Sequence, residues 1–552
     1  MPQEHPTTEG ALLMEKMALL GDEAVALGAI HGGVSVAYGY PGTPSTEIIE
    51  YIQQANRERP LAVWCTNEKT AYEEALGASY VGRRALVTMK HVGLNVAADP
   101  FINSALLNIR GGLVVVVADD PGMHSSQNEQ DSRFYADFAK ILCLEPSNQQ
   151  EAYEMTREAF DLSERFQIPV MVRITTRLAH SRSVVIPATP KKENSLLSQV
   201  DPSGWALLPA FARKQYTQLL SKQKDLYDYT EQCPHNQLLL APTDSLSSAP
   251  FGVITAGIGK NYYLENQDSL QMPLPHLHIG AYPLPLEKIR TLANKVSKIL
   301  VIEEGMPFIE RILRGVLPHG TQISGKLDHA LPPSGELEPD LVRRALGLQP
   351  QEGVTLPTSL LLPPRPPQLC QGCPHGDTYA TIKSILQELP EAVITSDIGC
   401  YALGAVPPLS VPETIVCMGA SVSMAVGAAE GGKKHAVAVI GDSTFLHSGV
   451  TPLIDAVARN VPITVVILDN GTIAMTGGQE TILPTANLPA LVRGLGVDPE
   501  HVITIEAHRK YEKENREVLR REIEYPGVSV VIAVRECLET ARKKKSRKES
   551  GE

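Results

Sequence analysis

Two dipeptides separated by a helix-length interval offer the most specific chemistry in the chain. The segment HAVAVIGDSTFLHSGVTPLIDAVARNVPITVVILDNGTIAMTGGQ carries Asp442 at the end of one apolar run and Asp469, Asn470 and Gly471 at the end of the next. It reads as strand, tight turn, helix, strand and polar turn, so both polar ends fall on the carboxyl edge of a parallel sheet, where such folds bind ligands. Mg²⁺ takes hard oxygen ligands in octahedral geometry and commonly shares them with a phosphate. Asp442 supplies a carboxylate, Asn470 a side-chain carbonyl and Thr472 a backbone carbonyl. Gly441 lets the backbone pass close to an anion, and Ser443 and Thr444 open the helix whose N-terminus favours one. Alone, Gly-Asp or Asp-Asn is an ordinary strand-ending turn; 28 positions apart on successive strand ends, the pair points to a metal-bridged diphosphate.

The cysteines form the second constellation. LCQGCPHG places Cys370 and Cys373 in one turn, SDIGCYALG adds Cys400 after a strand, and Cys537 follows the last strand. Thiolates are soft ligands that suit zinc or an iron–sulfur cluster, and a four-iron cluster needs four of them. By itself the Cys-x-x-Cys turn fits a buried pair, a zinc site or a redox disulfide equally. Cys65, Cys143, Cys233 and Cys417 read as core or incidental thiols. Eight cysteines in 552 residues are too sparse for a disulfide scaffold.

Around these residues the chain alternates apolar β-branched runs with helix-like stretches. GGVSVAYGY, RRALVTMK, GGLVVVVADD and IPVMVRITT predict a parallel α/β domain over residues 12–185. Residues 186–248 are polar and turn-rich around a helix-like stretch from Pro209 to Asp228, and read as a connector. A second α/β unit, 249–348, begins at FGVITAGIGK. LPTSLLLPPRPPQ follows in a proline-rich linker over 349–368, where missing donors and fixed φ end regular structure. A third α/β domain, 369–540, has strands AVITSD, HAVAVIGDS, PITVVILDN and VSVVIAV, and a charged tail, 541–552, is expected to be disordered. The fold class is therefore multidomain α/β with parallel sheets.

Composition narrows the partners. A net charge of −12 opposes bulk attraction to nucleic acid or anionic membrane, both polyanions. No stretch approaches a span of ~20 apolar residues, and the start lacks a basic region followed by an apolar one. A cytoplasmic enzyme acting on a small molecule is the expectation.

The order GDS, then DN, resembles the thiamine diphosphate signature. With YGYPGTPSTE, NEKTAYEEALGAS, MKHVGLNVAADP and HSSQNEQDSR, the wording resembles the large subunit of the indolepyruvate-type 2-oxoacid ferredoxin oxidoreductases, from about residue 12 to 540. That resemblance implies thiamine-binding domains at both ends around a central Rossmann-like, transketolase C-terminal-like domain. It implies thiamine diphosphate and Mg²⁺ as cofactors, one 4Fe-4S cluster on Cys370, Cys373, Cys400 and Cys537, and coenzyme A as co-substrate. It assigns Glu68 to the carboxyl that acts on the thiamine aminopyrimidine ring, and adds Asp397, Gly399, His375, Ala474 and Met475 to the cofactor-binding set. A smaller β subunit, an oligomer of large subunits and ferredoxin or a separate electron-transfer subunit are the partners it implies. The family's large subunit ends in a ferredoxin-like domain, whereas this sequence stops shortly after Cys537. A single cluster handing electrons to a separate carrier is expected.

Several polar residues in the first domain are candidates for the substrate. The turn YGYPGTPST carries Tyr40, Gly42, Thr43 and Ser45, with Thr43 and Ser45 expected to be exposed and able to bind a 2-oxo acid carboxylate. His91, Asn95, His124, Gln127 and Asn128 are expected in loops after strands, and His447 within the cofactor motif. The activity implied is oxidative decarboxylation of an aryl 2-oxo acid to an acyl-coenzyme A. A non-oxidative thiamine decarboxylase or carboligase would need no iron. A non-catalytic scaffold with structural zinc would need no carboxyl at position 68.

Overall fold

The structure, a computed structural model, describes residues 16–55, 60–199, 201–240, 250–318, 320–353, 357 and 367–550. It divides into two compact units, 1–353 and 354–552. Most of the proline-rich linker expected over 349–368 lies outside the described residues.

The first unit holds two large sheets and an antiparallel pair, Met17–Leu20 with Arg182–Val185. The larger has seven strands, in the order Ala281–Tyr282, Leu142–Leu144, Val170–Thr175, Leu113–Asp119, Ala85–Lys90, Val36–Gly39 and Leu61–Trp64. All pairs are parallel except the Ala281–Tyr282 edge. Leu113–Asp119 and Ala85–Lys90 are buried along their whole length, which is why their sequences are mostly apolar rather than alternating. The second sheet orders Gln322–Ser324, Lys298–Ile302, Gly252–Ala256, His276–Ile279 and Gln237–Leu239. Its last strand comes from the expected connector, so that segment builds part of the sheet as well as the helix Pro209–Gln232. Residues 281–282 in turn extend the first sheet, and one hydrophobic core runs through both.

Buried charges join the two sheets. Arg173 Nε donates to Asp119 at 2.6 Å and its guanidinium also pairs with Glu145, while Arg133 meets Asp131 at 2.5 Å and Glu303 at 2.9 Å. Tyr282 donates to Glu145 at 2.5 Å. Both guanidiniums are fully buried, so each depends on these carboxylates for its charge to be tolerated.

The second unit is built on a six-stranded, wholly parallel sheet in the order Thr414–Ile415, Val393–Ser396, Ala436–Gly441, Ile463–Asp469, Ser529–Val534 and Val502–Glu506, with a small antiparallel pair, Thr472–Ile473 and Gln479–Glu480, beside it in sequence. Along Ile463–Asp469, Ile463, Val465 and Ile467 enter one core while Val466 and Leu468 enter the core on the opposite face. Helices cover both faces. After Asp442 the helix opens as Asp442–Thr444, widens into a π turn at Phe445–Gly449 and continues as Val450–Arg459. The tail expected to be disordered is instead helical from Leu538 to Ser550, consistent with its run of strong helix formers. Among the described residues no helix is long and apolar enough to cross a membrane.

Candidate active site

In the second unit, strands Ala436–Gly441 and Ile463–Asp469 are neighbours, so Asp442 and Asn470 emerge side by side as the spacing required. Gly471 N donates to Asp442 Oδ2 at 3.0 Å, which fixes one turn to the other. Gly471 has φ +69°, a left-handed conformation that glycine adopts freely. Ser443 N donates to Asp442 Oδ1 at 2.8 Å, and Thr444 Oγ1 to the Ile398 carbonyl at 3.1 Å. Burial, then the neighbouring Asp469 carboxyl, hold Asp442 well above the usual carboxylate range. Asp469 Oδ2 is itself buried without a partner. Two buried carboxyls side by side call for positive charge, so the donor set fits Mg²⁺ on Asp442, Asn470 and the Thr472 carbonyl.

His375 completes that turn. Its Nε2 accepts from Asn470 Nδ2 at 3.1 Å, and the Asn470 carbonyl oxygen accepts from Thr472 N at 3.1 Å. Burial draws the His375 pKa down to about 4, which keeps the ring neutral and able to accept. His447 is buried, with Nδ1 on Ser448 Oγ at 2.6 Å. Asp397 is buried, receives the hydroxyls of Tyr401 and Ser421, and is pushed up to about 6 by burial. A Cβ at Gly441 would fall 2.6 Å from the Tyr401 ring, and one at Gly399 2.3 Å from it, so the close approach at both glycines is to this tyrosine. The reason is the Asp397 hydrogen bond, which holds the ring across both backbones.

The four cysteines come together. Cys370, Cys373, Cys400 and Cys537 line one cavity of about 100 Å³ with His375, Asn470 and Ala474. The Cys-x-x-Cys turn closes through Cys373 N to Cys370 O at 3.0 Å, and Gly372 within it has φ +78°. Burial, then the neighbouring thiols of Cys373, Cys537 and Cys370, push Cys400 up to about 12. Four thiols on one cavity are a donor set that an iron–sulfur cluster or a zinc ion accepts. Met475, expected with Ala474, is 48% exposed. Cys65, Cys143 and Cys233 are buried as expected, and Cys417 is exposed.

In the first unit, Glu68 opens the helix Glu68–Tyr80 directly after the strand Leu61–Trp64. Asn67 caps that helix, its side chain accepting from Thr70 N at 2.8 Å. The Glu68 side chain is buried against Gly93, where a Cβ would stand 2.5 Å from Oε1. His91 and Asn95, expected in a loop, lie in the helix His91–Val96, because the sheet edge passes straight into a helical turn. His91 is 1% exposed with neither ring nitrogen hydrogen-bonded, and Asn95 is exposed and accepts from Tyr135 at 2.7 Å. His124 is exposed and faces Glu336 at 3.5 Å; Gln127 and Asn128 are also exposed.

The turn after Val36–Gly39 buries Tyr40 and leaves Gly42 and Thr43 half-buried. Ser45, expected to be exposed, is 1% exposed and donates to Gly42 O at 2.8 Å, because the tight turn folds its hydroxyl back on its own backbone. Sequence reasoning missed Lys90. Its ammonium donates to Ser125 O at 2.7 Å and Ser125 Oγ at 2.9 Å and lies 3.8 Å from Asp120, while Ser125 Oγ reaches the Thr43 carbonyl at 3.2 Å. Burial draws Lys90 down to about 8. A charged residue ending a fully buried strand was the signal.

Comparison with known proteins agrees with both units. The family of pyruvate flavodoxin/ferredoxin oxidoreductase thiamine diphosphate-binding domains matches residues 27–229, and the C-terminal TPP-binding domain of thiamine pyrophosphate enzymes matches 397–533. Indolepyruvate oxidoreductase subunit IorA of Archaeoglobus fulgidus is 39% identical over 95% of this chain and 86% of its own length. The same subunit of Thermococcus kodakarensis is 34% identical over 95% and 86%. Among solved structures, a 2-oxoglutarate:ferredoxin oxidoreductase from Magnetococcus marinus shares the fold, with a TM-score of 0.50 and 18% identity over 60% of this chain and 65% of that one.

Proposed function

Because the chain belongs to the indolepyruvate oxidoreductase IorA family and is a thiamine-diphosphate-dependent 2-oxo acid oxidoreductase large subunit, we propose that it converts aryl 2-oxo acids of the indolepyruvate type to aryl-acetyl-coenzyme A. The balance is one 2-oxo acid anion and one coenzyme A thiol giving one thioester, CO₂, one proton and two electrons. A 4Fe-4S cluster held on this chain would supply one-electron transfer to ferredoxin or a separate electron-transfer subunit, and a smaller β subunit would complete the enzyme.

Thiamine diphosphate, when bound, supplies the electron sink for loss of CO₂. Asp442, Asn470 and Thr472 would hold its Mg²⁺, with His375 accepting from the Asn470 amide nitrogen and so fixing which way the amide oxygen faces. Glu68 would hold a proton at the aminopyrimidine ring. Tyr40, Gly42, Thr43 and His91 would receive the substrate, with Lys90 and Ser125 keeping the Thr43 turn in place. Ser45 shapes that turn from inside. Cys370, Cys373, Cys400 and Cys537 would hold the cluster.

The observation that carries the redox reading is the convergence of four thiols, from three distant stretches of sequence, on one cavity that Asn470 also lines. The test is anaerobic purification of the chain with its β subunit, followed by iron, acid-labile sulfide and thiamine analysis. About four irons and four sulfides per large subunit, lost in Cys400→Ala with thiamine retained, is the expected result. Thiamine with no iron, or with zinc in its place, would move the enzyme to the non-oxidative decarboxylases.

A further inference from the structure

A separate polar cluster in the first unit has no part in the reading above. Asp22 lies in the first turn of the helix Gly21–His31, Glu47 in the first turn of Thr46–Ala55, and His180 ends the helix Thr176–His180. Gly21 makes their approach possible. A Cβ there would fall 2.1 Å from the Leu178 carbonyl oxygen, and Gly21 N donates to Ser181 O at 3.2 Å. One ligand atom from each of Asp22, Glu47 and His180 lies within 4.8 Å of the other two, and among the described residues this is the only such group.

The cluster is short of positive charge. Asp22 is 0% exposed and neither of its carboxylate oxygens has a hydrogen-bond partner; Glu47 Oε2 is also buried without one. His180 Nε2 stands 3.6 Å from Glu47 Oε1, and both side chains are over one-third exposed, which leaves a path from solvent to the buried Asp22. A buried carboxylate with no donor is costly unless a proton or a cation meets it.

We propose that Asp22, Glu47 and His180 form a binding site for a first-row divalent cation of the zinc type. Two carboxylate oxygens and one imidazole nitrogen are a three-ligand set that such an ion accepts, with water in the remaining position. Ca²⁺ and Mg²⁺ prefer all-oxygen shells, so the imidazole argues against them. Binding releases the protons that Asp22 and His180 otherwise hold. The ion would pin three helix ends together. One of them begins at Thr46, whose hydroxyl accepts from Gly42 N at 3.0 Å in the Tyr40–Ser45 turn.

The competing arrangement is one proton shared between Asp22 and Glu47. Asp22→Asn separates the two, because the amide mimics a protonated acid but is a poor metal ligand. The full complex is exposed to zinc sulfate and dialysed, then zinc is measured by mass spectrometry in wild type, Asp22→Asn and His180→Gln, each normalised to its thiamine and iron. One additional zinc per large subunit in wild type, and a zinc-dependent rise in Tm of roughly 5 °C absent from both variants, is expected. Equal zinc in all three proteins would mean an adventitious ion only. A wild type that ignores zinc, with Asp22→Asn equally or more stable, would establish the shared proton; either result overturns the site. Zinc on the Cys370 side would be common to all three proteins and cancels, so the outcome is independent of the cluster.

Discussion

The backbone amide of Cys537 donates to the carbonyl of Asn470 at 3.2 Å. The last cysteine is therefore hung from the main chain of the turn whose side chain is the proposed Mg²⁺ ligand. That geometry makes the two functions of the turn separable. Asn470→Ala keeps the main-chain bond and loses only the amide, so thiamine diphosphate affinity should fall by roughly tenfold to a hundredfold while iron content holds. Cys537→Ala should do the reverse. Titration calorimetry and iron analysis on both variants check this, and joint loss of both cofactors from either one would contradict it.

A Cβ added at Gly93 would stand 2.5 Å from Glu68 Oε1. Gly93→Ala should push that carboxyl aside and lower kcat by about 10² or more, with thiamine content unchanged. Glu68→Gln should match it within an order of magnitude. Normal turnover in Gly93→Ala would remove Glu68 from the reaction.

Lys90 holds the Ser125 loop, which in turn holds the Thr43 carbonyl. Lys90→Met should raise KM for the 2-oxo acid about tenfold or more with little change in kcat, since positioning of bound substrate is what it alters. Its pKa near 8 means the ammonium is lost as pH rises through that value, so wild-type KM should climb above about pH 8 and the variant's should not. Steady-state kinetics from pH 6.5 to 9 decide between them.

His276 and His278 share Thr255 Oγ1, at 2.8 and 3.1 Å, and burial lowers them to about 3 and about 4. The unfolded chain takes up these protons near pH 6.5 and the folded chain does not. Their contribution is present above pH 6.5 and is lost as pH falls toward 4 and then 3, at about 1.4 kcal/mol per pH unit per histidine. Denaturant unfolding at pH 7, 6, 5 and 4 should show that slope, flattened in a His276→Asn, His278→Asn double variant. An unchanged slope in the double variant would place the acid sensitivity elsewhere.

What the sequence determined by itself was whatever local pattern encodes. Unbroken β-branched runs specified Ala436–Gly441 and Ile463–Asp469 as fully buried parallel strands, and their polar ends gave Asp442 and Asn470. The apolar run ahead of Glu68 put that residue where a strand gives way to a helix. The thiol motifs could be ordered along the chain, but their convergence required strands to pair that are far apart in sequence. Only the tertiary structure decided that Tyr401 covers Gly399 and Gly441, that Ser45 turns inward, that Lys90 braces the Thr43 turn, and that Asp22, Glu47 and His180 meet. Each of these rests on side chains brought together by helix and sheet packing. A one-dimensional pattern records which residues prefer burial, and it carries no record of which partner each will find there.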